Sequence, residues 1–434
     1  MKRALRMGIV GLGLLSVVPM VSCGGSGSSR TPTATLTLWQ LPPEFTKTVS
    51  PTTTFTPTPL VSNTPTFPAL QKAASVPIAA GWNHACAVAV EGGVMCWGNN
   101  ENGQLADGTR TDRTKPVPVI GLDSKIVALA AGMGHTCALT EGGGVKCWGR
   151  NKSGQLGNGT DQRTTEVVNV TGLESGVVAI AAGDDHTCAL TAQGAVLCWG
   201  LNDFGQLGDG TYDYRTSPVA IEKLSSGTSA ITAGSGHTCA VNNGEVLCWG
   251  DNALGQLGDG TDTKSRATPG SVSGLGGGVT ALIGKGTHTC VLTAAGEAFC
   301  WGENKFGQLG DGSMDNRSTP VAVTGLDGSV SILALGWKHT CALTAGSGLK
   351  CWGWNFYGQV GEGSTANRRQ PVDVVGLAGK PVLAAGGGGH TCAVMEDGSA
   401  FCWGWNESGQ LGNRSNQDSV IPVKVIGITV AAVS

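Results

Sequence analysis

The chain has 434 residues, a net charge of −3 and only 14% charged residues. Its basic side chains are scattered rather than gathered in a stripe or block, which excludes nucleic acid as the main partner. Beyond the first 22 residues no apolar stretch is long enough to span a bilayer.

Residues 1–22 read as a signal peptide. Lys2, Arg3 and Arg6 form a basic start, and an apolar run from Met7 to Val21 follows. The junction Met20-Val21-Ser22-Cys23 resembles the bacterial lipobox, which implies that Cys23 becomes a lipidated first residue; the alternative is an ordinary secreted protein. The expected location is therefore outside the cytoplasm, at a bacterial surface or envelope, with membrane contact only through the anchor. Residues 23–74 continue as a Gly/Ser tether and a Thr/Pro-rich linker containing Trp39. Such a stretch is too poor in apolar side chains to form a core, and its prolines keep it extended.

Residues 75–434 are built from one unit used seven times. The motif His-Thr/Ala-Cys begins at His84, His135, His186, His237, His288, His339 and His390, always 51 residues apart, and these are all the histidines of the chain. Each copy continues through a second Cys followed by Trp-Gly, an Asn two residues later, Gly-Gln-Leu (Val360 in one copy), a Pro-Val segment in most copies and a short apolar run. Two-residue alternation marks four short strands per copy, typified by VVAIAAG (177–183), HTCALT, AVLCWG and the Pro-Val segment, where Pro suits an edge. Four strands in a repeat of about 50 residues predict a propeller blade. The expected fold is all-β, a seven-bladed β-propeller with no helix of any length.

The hairpin register pairs the thiols. With Ala192-Gln193-Gly194 as a three-residue loop, Leu190 faces Val196 and Cys188 faces Cys198. The fourth copy is one residue shorter; an Asn243-Gly244 type I′ turn sets Asn242 opposite Glu245 and still leaves Cys239 opposite Cys248. Among the three-residue loops, Ser347 is the exception to Gly in third place. Seven disulfides are expected: Cys86–Cys96, Cys137–Cys147, Cys188–Cys198, Cys239–Cys248, Cys290–Cys300, Cys341–Cys351 and Cys392–Cys402. Each is worth at most roughly 2–3 kcal/mol in the chain-entropy picture. The alternatives are fourteen buried free thiols, or zinc held by His-x-Cys and the second Cys, which lacks a fourth ligand in each copy.

The pattern HTCAL…G.V.CWG.N..GQLG.G resembles the regulator of chromosome condensation repeat family over residues 75–426. The resemblance implies a seven-bladed ring and, by analogy, guanine-nucleotide exchange, inhibition of another protein, or ultraviolet sensing. The last goes with repeated Gly-Trp-Arg-His-Thr, to which Gly336-Trp337-Lys338-His339-Thr340 comes near and Gly81-Trp82-Asn83-His84-Ala85 less so. This chain adds an export signal and a Cys pair per blade. For closure, either Ser75–Ala80 or the C-terminal Ile428–Val433 completes the blade containing His84, and the C-terminal strand is the favoured clasp.

Residues required in every blade read as architecture. The seven His, the Asn after Trp-Gly and the Gln of Gly-Gln-Leu are taken as hydrogen-bonding supports. An Asp–Arg clamp is expected across the GDGT turns, with Arg113, Arg163, Arg215, Arg266, Arg317 and Arg368 as the basic partners. No catalytic constellation, cofactor or metal is expected. Function is sought where the copies differ. One ring of such positions precedes the His and the other follows Trp-Gly. Trp82, Trp337, Trp354 and Trp405, with Phe356 and Tyr357, fall in the first, sixth and seventh blades, which closure makes neighbours. They form the expected surface for a protein or glycan; the alternative is packing between blades. The expected protein is a monomeric, non-enzymatic, surface-anchored binding scaffold. An inhibitor or regulator of a secreted enzyme is the first alternative and a guanine-nucleotide exchange factor the second.

Overall fold

The computed structural model describes residues 77–326, 330–346 and 348–431. The signal peptide, Cys23, the linker with its Trp39, Ser75 and Val76, Ser347 and residues 432–434 lie outside the described residues. Blade one consists of β1 (Ile78–Ala80), β2 (His84–Val88), β3 (Val94–Gly98) and β4 (Arg113–Pro118), paired antiparallel in that order. The same meander recurs over 126–169, 177–220, 228–271, 279–322, 330–373 and 381–424. A single turn of 3-10 helix, Glu222–Leu224, is the only helical element among the described residues. The apolar run makes the innermost strand, which touches the innermost strands of the adjacent blades, and the Pro-Val segment makes the outer edge.

The hairpin register is as the alternation predicts. Cys188 lies opposite Cys198 and Leu190 opposite Val196; in the shortened copy Cys239 lies opposite Cys248 and Asn242 opposite Glu245. Asn243 and Gly244 both have positive φ, 49° and 84°, as a type I′ turn requires. All seven disulfides form within blades, with Cα atoms 4.0–4.1 Å apart.

Blades are joined by the Cys-Trp-Gly tryptophan. Each is fully buried, not in its own blade but in the core of the preceding one, against that blade's disulfide: Trp148 beside Cys86 and Cys96, and so on to Trp97 beside Cys392 and Cys402. Its indole N–H donates to the carbonyl of the preceding blade's Gln, as in Trp148 to Gln104 at 2.8 Å and Trp97 to Gln410 at 2.9 Å. The same holds at the other five seams. A second clasp lies beside it. At six of the seven seams the Nε2 of the His meets the hydroxyl of the next blade's Thr, from His84 with Thr136 (2.9 Å) to His339 with Thr391 (2.8 Å). At five seams that hydroxyl donates onward to the Gln carbonyl. A hydroxyl has one proton, so at these seams the His donates from Nε2–H and its Nδ1 is bare.

The seventh seam is different. Blade one carries Ala85 where the others carry Thr, and the fully buried His390 Nε2 has no partner. Ring closure also departs from the expected C-terminal clasp. The innermost strand of blade one is β1, from the N-terminal side, and the C-terminal segment adds one antiparallel bridge, Val430 to Ala89. Ala431 N–H donates to the Val88 carbonyl and Val90 N–H to the Thr429 carbonyl. Val430 stands opposite Ala89 as Ile126 stands opposite Thr140 one blade on. The two chain ends therefore share one strand, because Ile78 already fills the buried site opposite Ala87 and leaves only the outermost apolar site for Val430.

Two predictions follow from these seams. Ala85→Thr supplies the missing hydroxyl and should stabilise the fold by about 1–2 kcal/mol, whereas Thr136→Ala strands His84 Nε2 and should cost about 1–3 kcal/mol, both read by urea unfolding. The second concerns acid. Burial pushes every imidazole below its ordinary 6.5, His237 to about 4 and the other six to about 3, with neighbouring cationic groups adding to the effect at most of them. Above pH 6.5 the histidines are neutral in both states. Between 6.5 and about 4 only the unfolded chain takes up protons, so stability falls as pH falls through that window. Seven groups at ~1.4 kcal/mol per unit give a limiting slope of about 9–10 kcal/mol per pH unit. Unfolding at pH 5 should take up several protons; an uptake near zero would contradict the buried ring.

Candidate functional site

The positions that vary between blades meet on one face, at the ends of the inner strands. They interlock there. Arg150 Nε lies 3.2 Å from Asp185 and its guanidinium also reaches Met133 Sδ; Lys338 lies 3.4 Å from Glu303, which accepts a short hydrogen bond from the Thr287 hydroxyl. Burial raises the carboxyls of Asp184, Asp185 and Asp251. Ser235 and Lys285 oppose the rise at Asp184, Arg150 and Gln155 at Asp185, and the backbone N–H groups of Ala253 and Asn252 at Asp251. Asp185 is engaged by Gln155 and Arg150, and Asp251 by the Ala253 N–H and the Gln256 amide.

The aromatic residues singled out by sequence come together in one sector. Trp82 and Trp337 have ring centroids 4.3 Å apart, and Trp354 stands edge-on to Trp337 at 6.2 Å. Tyr357 is edge-on to Trp354 at 5.4 Å and stacks on Trp405 at 5.0 Å with 12° between planes. Phe356, 66% exposed, completes the run edge-on to Tyr357 at 5.1 Å. The cluster joins blades one, six and seven, so these tryptophans pack on each other across blades while their rings remain half-buried.

Several members were not assigned from sequence. Phe306 of blade five joins at 6.1 Å from Trp354, and Lys338 Nζ lies 5.0 Å from its centroid and 4.4 Å from that of Trp337. Gly388 and Gly389 of blade seven form the floor. A Cβ at Gly388 would stand 3.1 Å from the Trp82 ring, and one at Gly389 3.2 Å from both Tyr357 and Trp405. Any side chain there would separate the rings, so two adjacent glycines at variable positions were the signal. Lys285 is the other omission. It replaces a glycine found at 81, 132, 183, 234, 336 and 387. Its Nζ crosses the central channel to donate to the carbonyls of Ala80 and Ala131, both at 2.9 Å. The side chain keeps some accessible surface along the channel, but desolvation of the ammonium lowers its pKa to about 8, with Asp184 opposing.

The remaining recurrent residues are structural. The Asn after Trp-Gly accepts the backbone N–H of the residue after Gln and donates into the GDGT turn, as Asn100 does to Asp107. Arg113, Arg215, Arg266 and Arg317 pair with Asp107, Asp209, Asp259 and Asp311, and Arg368 with Glu362. Burial alone would raise the Asp107 carboxyl, but the Thr109 hydroxyl and Arg113 hold it below the usual range. The clamp expected at Arg163 does not form as an ion pair, because Asn158 carries no charge. Among the described residues no group of three or more His, Cys, Asp or Glu is placed to hold a metal.

Comparison with known proteins gives the same architecture. Residues 22–286 match the model of the RCC1-like domain, and residues 295–343, 351–394 and 397–434 match the regulator of chromosome condensation (RCC1) repeat. The chain is 34% identical over 365 residues to the Ultraviolet-B receptor UVR8 of Arabidopsis thaliana, covering 82% of this chain and 83% of that protein. It is 30% identical over 385 residues to the Secretion-regulating guanine nucleotide exchange factor of Bos taurus, covering 79% and 80%. The crystal structure of human WBSCR16 is similar with a TM-score of 0.65 and 27% identity, over 73% of this chain and 85% of that one.

Proposed function

We propose, from the premise that the chain belongs to the regulator of chromosome condensation repeat family, that it is a non-catalytic, monomeric binding propeller which grips a protein or glycan through the aromatic sector of blades one, six and seven. The observation that carries this reading is the unbroken run of ring contacts from Trp82 to Trp405, ending in the exposed Phe356. Clustered Trp and Tyr offer large, rigid contact area at low entropic cost, which is why they dominate binding hot spots. The same scaffold hosts a light receptor and an exchange factor among its relatives, so the site, not the fold, decides.

Seven disulfides belong to an oxidising, extracellular environment. No helix among the described residues is long and apolar enough to cross a membrane. With residues 1–22 as export signal, Cys23 as lipid anchor and 23–74 as tether, the propeller of residues 75–434 is presented at the cell surface. A partner that is itself a secreted enzyme would make the protein its inhibitor. Guanine-nucleotide exchange requires instead a cytosolic chain with reduced thiols.

Replacing Trp337, Trp354 and Trp405 together by Ala should lower affinity for a partner recovered by crosslinking at least a hundredfold, about 2.7 kcal/mol. Unchanged affinity sinks the assignment of the surface. One observation favours a second reading, ultraviolet reception: Trp82 and Trp337 lie close enough for their indoles to couple. On that reading ultraviolet-B light changes the near-ultraviolet circular dichroism or the oligomeric state of the protein, and Trp337→Phe abolishes the change; a light-insensitive protein rejects it.

A further inference from the structure

The inner strands leave a cavity of about 660 Å³ along the channel, opening on the face opposite the aromatic sector. The innermost strands of blades three to seven line most of it, with Ile180, Ile231, Ile283, Ile332 and Leu383, all half-buried, on its wall. Its size is that of a pocket for a small organic ligand, and a predominantly apolar lining is what such pockets have. On these strands the lining stops at Ile180, Ile231, Ile283, Leu333 and Ala384, two residues before the strand ends at Ala182, Ala233, Lys285, Leu335 and Gly386. Beyond it the Lys285 side chain spans the channel to Ala80 and Ala131. Six blades carry glycine at that position, so of the seven equivalent positions only 285 sets a side chain across that end of the channel.

The charges choose the ligand. Glu396 and Asp397 are the only charged residues on the lining; both are exposed at the mouth. The Asp397 carboxyl is held below its ordinary range by the Ser399 hydroxyl and backbone N–H, which it accepts at 2.6 and 2.9 Å, with the more distant charge of Lys424, which is not on the lining, adding a smaller effect. The Lys285 ammonium at the far end does not recruit an anion, because two carbonyls and the charge of Asp184 already satisfy it.

We infer that this channel is a binding site for an amphiphile whose apolar chain enters the pocket and whose polar end, neutral or cationic, stays at the Glu396–Asp397 mouth. Burial of the chain against the five aliphatic side chains drives entry. The two carboxylates reject an anionic head and attract a cationic one. The site is on the other side of the Lys285 side chain from the aromatic sector, so the two surfaces bind independently.

The test is isothermal titration of the folded protein with dodecyltrimethylammonium, dodecanol and dodecanoate, each below its micellar concentration. Saturable one-to-one binding of the first two is expected, with dodecanoate at least tenfold weaker. Ala281→Phe, which fills the channel, should weaken both at least tenfold, while Trp354→Ala should change neither. Should Ala281→Phe misfold, the surface variant Glu396→Lys/Asp397→Asn still decides, since Asn keeps the Ser399 contacts: it should bring dodecanoate level with or above the cation. Non-saturable uptake, dodecanoate binding as tightly as the cation, or a preference that survives the charge change overturns the assignment.

Discussion

The carbonyl of one glutamine per blade governs this ring. It accepts the indole N–H of the next blade's tryptophan at every seam and a threonine hydroxyl at five of them, while the Gln side chain caps a backbone N–H two residues earlier in its own loop, as Gln155 does for Ser153. The bond itself is an ordinary one, worth ~1 kcal/mol net. Its consequence is larger, because it fixes an entire buried indole in the preceding blade's core. No blade has a complete core alone. An open row would leave Trp97 without a blade to enter and the disulfide of blade seven without its indole. Closure is therefore a packing requirement, and Trp97 in the core of blade seven meets it.

Because this clasp must recur, the residues that build it cannot also distinguish one sector from another. The histidines illustrate the point. They are fully buried and deprotonated, and they look like seven active-site candidates only when each is viewed alone. Individuality enters through departures from the repeat. Ala85 removes one clasp from the closing seam, in the sector where Trp82 reaches over the two glycines of blade seven to Trp337. The aromatic cluster thus spans the one seam that lacks the His–Thr clasp, and its ring contacts hold together what the missing threonine does not.

Lys285 is the departure with the longest reach. A side chain from blade five bonds carbonyls in blades one and two, across the axis rather than around it. It separates a polar and aromatic face, where Asp185, Arg150 and Lys338 pair with neighbours, from an aliphatic channel. The cost of an ammonium in that place is visible in its lowered pKa; two carbonyls and a carboxylate offset it.

Much of this was legible in the chain. The 51-residue period, the two-residue alternation and the turn residues determined the blade, its strand order and the pairing of every cysteine, because those depend on contacts inside a single repeat, the longest being pairs such as Met95 with Pro118. The four surplus tryptophans could be assigned to one sector by counting blades. What the tertiary structure alone decided involves residues far apart in sequence. It showed that each Trp serves the preceding blade, and that the chain ends share a strand, since Ile78 takes the buried place opposite Ala87 and Val430 the next. It also brought Lys285 to Ala80, Ala131 and Asp184, a meeting that no local spacing records because it runs across the ring axis. A period read along the chain reveals what each blade shares with the next; only the closed ring brings together the residues in which the blades differ.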